Sequence, residues 1–113
     1  MFPLQRGRRL RTNESIRSLV RETSLSPSDF MFPMFIAEGE NVAVEIASMP
    51  GIFRRSIDLT VKEIEELYAL GIRAVNLYVK VSENLKDNTG KEAWNKDGLM
   101  QNAIRAIKAA CPE

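Results

Sequence analysis

The chain contains no histidine and only one cysteine, Cys111. These two shortages exclude Ser–His and Cys–His catalysis, any intrachain disulfide, and a zinc site built from the usual nitrogen and sulfur ligands. Cys111 lies in an alanine-rich helical stretch and reads as a small, buried or half-buried hydrophobe rather than a nucleophile. No apolar run is long enough to span a bilayer. Gln5 to Thr12 is polar and basic where a signal peptide would be apolar, so a cytoplasmic protein without a membrane partner is expected. The net charge of +1 gives no bulk attraction to nucleic acid. Internal repeats and low-complexity tracts are also lacking.

The 113 residues, 44% hydrophobic and 27% charged, have the composition of one soluble globular domain, or part of one. Their charge is unevenly spread. Arg6, Arg8, Arg9, Arg11, Arg17 and Arg21 crowd the start against only Glu14 and Glu22, which makes a basic arm on a near-neutral body. Such an arm can hold phosphates or an acidic partner surface. Without a recognition helix or interleaved aromatics, nucleic acid is not the expected partner.

After the arm, Ile16, Leu19 and Val20 at helical spacing, with Thr12 or Asn13 as cap, predict a short amphipathic helix within 13–23. Ser26-Pro27-Ser28-Asp29 predicts one further helical turn, with Ser26 capping and Pro27 in the first position. Phe30 to Ile36 is almost continuously apolar and suits a strand buried on both faces, although Pro33 argues for an irregular or edge-like place near its beginning. Residues 38–50 read as a polar connection with an extended piece at 42–46 and a turn at Met49-Pro50-Gly51.

From Ser56 to Leu70 the residues Ile57, Val61, Ile64, Leu67 and Tyr68 share one helical face, and Lys62, Glu63, Glu65 and Glu66 lie on the other, solvated one. Thr60 with Glu63 is a possible capping box that would start the regular helix later. Gly71 supplies the left-handed residue that ends it. Ile72 to Val79 is a second strand, so a parallel strand–helix–strand unit is expected. A polar loop at 82–97 leads to a last helix capped by Asn95 or Asp97, with Leu99, Met100, Ala103, Ile104, Ile107 and Ala110 as its apolar stripe.

That order predicts an α/β fold in two parts: residues 1–29 as an N-terminal arm with short helices, and 30–113 as strand, helix, strand, helix. The last helix should lead to a third parallel strand, which the sequence does not supply. Closed barrels avoid this by completing eight such units over about 250 residues.

Several side chains invite a chemical role. Tyr78, at the C-terminal end of a strand, is a candidate for substrate contact, with a barrel-core aromatic as the plain alternative. Lys80, just past the strand, is the residue type that attacks ketones to form imines, yet a solvated loop cation is the expectation. Glu63, Glu65 and Glu66 share an outer helix face, and Asp87, Asn88 and Asp97 lack the neighbours of a magnesium or calcium site. No metal ligand is assigned.

Particular stretches, in order, resemble the porphobilinogen synthase (delta-aminolevulinic acid dehydratase) family. They are Gly7-Arg8-Arg9-Leu10-Arg11; Leu19 to Thr23 with Leu25-Ser26-Pro27; Phe32-Pro33-Met34-Phe35 with Glu38-Gly39; Ser48-Met49-Pro50-Gly51; Ser56-Ile57-Asp58-Leu59; Leu70-Gly71-Ile72; and Glu92-Ala93-Trp94-Asn95 through Gly98-Leu99 to Lys108. The resemblance covers nearly the whole chain and rests on order and spacing together.

It implies the first part of a (β/α)8 TIM barrel, incomplete in this chain, with an arm that embraces a neighbouring subunit of a homo-oligomer, commonly an octamer. It also implies condensation of two 5-aminolevulinate molecules to porphobilinogen in tetrapyrrole (haem) biosynthesis, a hydro-lyase reaction, with zinc or magnesium in the full-length family. Tyr78 aligns with an aromatic near the family's substrate. The family's two Schiff-base lysines lie on later strands, and the cysteines that bind catalytic zinc in many members lie beyond the third strand, so this chain is expected to have no catalytic residue and to be inactive as written. Departures are evident: where the family usually has a phenylalanine and then glycine or proline after the second strand, this chain has Tyr78 followed by Val79-Lys80-Val81, and Trp94 stands where tyrosine is common. The alternative is a non-enzymatic assembly module that pairs with the full-length enzyme.

Overall fold

A computed structural model describes residues 4–113. The first strand, β1 (Met31–Ile36), is followed by a short hairpin, β2 (Ala43–Glu45) and β3 (Phe53–Arg55). Two helices, α2 (Ile57–Ala69) and α3 (Leu99–Ala110), flank the last strand, β4 (Ala74–Val79), and a smaller helix, α1 (Glu14–Leu19), precedes them all. The sheet order is β2-β3-β1-β4, with β1 parallel to both β3 and β4 and the hairpin antiparallel. The expected strand–helix–strand unit is therefore present, and β1 and β4 pair along their full length from Met31↔Ala74 to Ile36↔Val79.

The hairpin differs from expectation. The extended piece near Val44 is there, but its partner Phe53–Arg55, which the sequence pattern assigns to no element, carries too few residues to show a period. It is a strand because its neighbours make it one. Arg54 and Arg55 pair with Phe35 and Ile36, and Phe53 pairs with Glu45. Ala37 N–H then donates to the Arg55 carbonyl at 2.9 Å.

Pro33 sits in the middle of β1 without breaking it. The Ile36 carbonyl accepts from Lys80 N–H on the β4 side, whereas Ala37 N–H points to β3. Backbone groups alternate sides along a strand, so Pro33, four residues before Ala37, lacks its donor on the β3 side. There β3 reaches only as far as Phe35, and no ladder bond is lost.

Helix α2 begins at Ile57, earlier than a Thr60–Glu63 capping box would allow. Ser56 holds the cap position but spends its hydroxyl on the preceding loop, accepting Val42 N–H at 2.9 Å. Thr60 is thereby inside the helix, 1% exposed. Gly71 ends α2 with φ +95°, and a Cβ there would stand 3.1 Å from Pro27, so the turn at Pro27–Asp29 lies directly against this corner. In that turn the Ser26 N–H donates to the Asp29 carboxylate at 2.7 Å. Helix α3 takes Gly98 as its cap rather than Asn95 or Asp97. Asn95 instead accepts Asp97 N–H at 3.0 Å, and the Asp97 carbonyl accepts from Asn102, so both are used one turn too early.

The core forms where the helices cover the sheet. Met34, Ile64 and Ile107 are buried, with Phe32, Val61, Leu67, Val75, Leu77 and Cys111 packed around them. Ile36 is fully buried. The apolar stripe of α3 is only partly used, since Ala103 and Ile107 are buried while Ile104 and Ala110 stay exposed. Glu63 is not on a free outer face: it pairs with Arg55 at 3.0 Å, both side chains more than two-thirds covered. Glu65 and Glu66 are exposed as expected.

The N-terminal stretch behaves differently. Asn13 caps α1 by accepting Ile16 N–H at 3.0 Å, but Leu19 is 85% exposed and Leu4, Leu10 and Leu25 are also exposed. The radius of gyration is 21.5 Å, against roughly 13 Å for a compact domain of this length. This is not a closed unit with protected strand borders. Among the described residues β4 has a strand on one side only. No helix of the described residues is long and apolar enough to cross a membrane.

Candidate functional site

Strand alternation sends successive side chains of β1 and β4 to opposite faces. Met34 and Leu77 go to the helices, so their neighbours Phe35 and Tyr78 go to the uncovered face. The register places those two side by side. Their rings stack with centroids 5.4 Å apart and planes inclined by 20°, the offset arrangement aromatic quadrupoles favour. Asn76, two residues before Tyr78 and therefore on the same face, donates to the Tyr78 hydroxyl at 2.9 Å. Tyr78 is still 49% exposed.

A cavity of about 250 Å³ opens at this stack, at the C-terminal ends of β1 and β4. Arg54 from β3 and Lys80 and Lys86 from beyond β4 line it together with Phe35 and Tyr78. No acidic side chain lines it. Lys86 already has a partner, Glu83, at 2.5 Å. Hydrogen bonding and charge from Lys86, helped by the charge of Lys80, hold the Glu83 carboxyl below its ordinary value. Arg54, half-buried, makes no hydrogen bond, ion pair or ring contact with any described residue.

Of the residues singled out from sequence, Tyr78 and Lys80 meet at this cavity, while Cys111 belongs to the helix-side core. Asp87 is occupied in its own turn, accepting from Thr89 and Lys91 N–H; the Thr89 hydroxyl and these backbone donors lower its carboxyl pKa. Among the described residues no three His, Cys, Asp or Glu side chains gather to hold a metal ion. In the arm, Glu14 draws in Arg17 at 2.7 Å and Arg21 at 3.0 Å, while Arg8, Arg9 and Arg11 have no ion pair among the described residues. Phe35 and Arg54 escaped the sequence reading. Strand parity could have found Phe35 once the register with β4 was known; Arg54 depends on the hairpin.

The profile of the family described as delta-aminolevulinic acid dehydratase matches residues 4–113. The chain belongs to this family. It is 46% identical to the delta-aminolevulinic acid dehydratase of Synechococcus elongatus over 113 residues, all of this chain and 34% of that protein. The Helicobacter pylori enzyme of the same name is 46% identical over 105 residues, 92% of this chain and 32% of that one. A crystal structure of delta-aminolevulinic acid dehydratase (porphobilinogen synthase) from Toxoplasma gondii ME49, in complex with the reaction product porphobilinogen, superposes with a TM-score of 0.90. It is 41% identical and covers 97% of this chain and 31% of that one. The chain thus spans about a third of the length of these relatives, corresponding to their N-terminal part.

Proposed function

We propose that this chain supplies the N-terminal part of a porphobilinogen synthase, the hydro-lyase that condenses two 5-aminolevulinate molecules to porphobilinogen for tetrapyrrole synthesis. In this reading β1, α2, β4 and α3 within residues 30–113 are the opening units of a (β/α)8 barrel, and residues 1–29 are an arm that reaches a neighbouring subunit of a cytoplasmic homo-oligomer. One observation carries it: a cavity with an aromatic wall lies at the C-terminal ends of parallel strands, where barrel enzymes build their sites, in a chain of this family. Tyr78 and Phe35 form one side of the substrate pocket. Their flat faces exclude water and limit where the aliphatic part of a substrate can lie.

In this reading the catalytic lysines, and the residues that would hold zinc or magnesium, belong to other parts of the whole enzyme. The arm's exposed leucines, and Arg8, Arg9 and Arg11, which have no ion pair among the described residues, support the assembly role, because guanidinium forks match carboxylates on a partner surface. The separate reading, a self-contained module, is not favoured: the sheet's bare face and free β4 border lack the closure such a unit needs.

A chimera tests the proposal. Replacing the matching third of the Synechococcus elongatus enzyme with this chain should preserve pyrrole formation from 5-aminolevulinate, and this chain alone should form none. A folded, assembled chimera without activity, or product from the isolated chain, overturns it.

A further inference from the structure

Two stretches of this chain carry opposite charge, and no ion pair among the described residues joins them. Residues 4–12 contain arginines and no acidic side chain, and Arg8, Arg9, Leu10 and Arg11 are all exposed. Residues 38–53 contain Glu38, Glu40 and Glu45 and no lysine or arginine. Asp58 adds to this acidic group, since its carboxylate accepts Asn41 N–H at 3.1 Å. Both stretches also expose apolar side chains, Leu4 and Leu10 in the arm and Val44, Met49 and Ile52 on the hairpin. The outer hairpin strand β2 has a neighbour on one side only. The hairpin stands outside the strand–helix alternation, so its free edge is not a position that a further strand–helix unit fills.

We infer that the basic arm of one copy docks on the acidic hairpin of a second copy, and the reverse, so that two chains hold each other about a two-fold axis. The inference rests on the reading of residues 1–29 as an assembly arm and adds where that arm lands. Arg8, Arg9 and Arg11 face Glu38, Glu40 and Glu45, while Leu4 and Leu10 cover Val44 and Ile52. An isologous pair makes this contact twice, which compensates for the small value of each exposed ion pair. Opposite fields also steer the encounter. Pairing through the β4 border would use backbone groups instead and be indifferent to these charges.

The test is a charge swap in the full chain, read by analytical ultracentrifugation at low salt. The natural chain should form a dimer that weakens steeply as ionic strength rises. Arg8→Glu, Arg9→Glu and Arg11→Glu together turn the arm acidic, and Glu38→Lys, Glu40→Lys and Glu45→Lys together turn the hairpin basic. Each triple variant alone should dimerise about tenfold more weakly or worse, because arm and hairpin then carry the same sign. All these positions are exposed, so the fold is kept, and the helical circular dichroism signal checks this. Mixed in equal amounts, the two variants should recover a one-to-one dimer, since each arm again meets an opposite charge on the other chain. A natural chain that stays monomeric, a dimer unaffected by salt, or a mixture that associates no more tightly than its parts overturns the docking. The chimera assay judges the wider proposal separately, because it reads pyrrole formation and not where the arm lies.

Discussion

The two faces of this sheet are made by the same strands and have opposite fates. On the helix side, Met34, Ile36, Phe32, Val75 and Leu77 are covered by α2 and α3 or by the hairpin. On the other side Phe35, Tyr78 and Met31 point away from every helix, and Met31 is 62% exposed. Hydrophobicity does not separate the two sets. What separates them is parity, because a strand hands alternate residues to alternate faces whatever their identity. One set stabilises the unit, and the other is available for a ligand or further protein.

This contrast is open to direct tests, beginning with the largest effect. Ile36→Ala should lower the unfolding free energy by about 2–5 kcal/mol, the range for large-to-small changes at fully buried sites. Tyr78→Ala, on the bare face, should lower it by less than about 1 kcal/mol. Urea denaturation of both variants would break the distinction if the two losses were equal.

Next comes the Arg55–Glu63 pair, which ties β3 to α2 on the helix side. Glu63→Gln should destabilise by about 1 kcal/mol, near the upper end for ion pairs that keep some water contact. A double-mutant cycle with Arg55→Gln should show coupling between them; purely additive losses would reduce the pair to a crystal-like coincidence of geometry. A smaller effect of opposite sign is expected at Thr60, whose buried hydroxyl oxygen has no protein partner. Thr60→Val should leave stability unchanged or raise it by up to about 1 kcal/mol, since it removes an unsatisfied polar atom at constant shape. A measured loss would mean that the hydroxyl has a partner in solution.

The subtlest test is acid. The Ser56 hydroxyl first, and the Asn41 backbone N–H after it, hold the Asp58 carboxyl below its ordinary value of 3.8. A carboxyl lowered by folding contributes stability that is complete above its unfolded pKa and is lost as pH falls through the folded one. Asp58→Asn should therefore flatten the stability profile below about pH 4 and leave its slope near neutrality untouched. An unchanged acid limb would remove Asp58 from the account.

Much of this architecture was legible in the sequence, for identifiable reasons. The strand β1 showed as an apolar run, α2 and α3 as stripes at helical spacing, and Gly71 as the residue able to turn the chain at positive φ. The family showed through the order of short stretches. Two things did not show. Phe53–Arg55 has three residues and no period, and only its bonds to β1 and β2 make it a strand. The stack of Phe35 on Tyr78 depends on register across two strands separated by a helix, which no local pattern contains. Arg54 was hidden by the first of these, so one of the three cations lining the cavity was invisible until the hairpin appeared. Glu63 was misplaced for a related reason: its spacing put it on the polar side of α2, but the hairpin brings Arg55 to meet it.

Pro33 has a consequence for how copies of this chain meet. A foreign strand adding to the early half of β1 would find a gap in the row of amide donors, whereas β4 offers an unbroken row. Recruitment is thus directional: if molecules stack at high concentration, they should zip along Ala74–Val79, and the proline flank should stay inert.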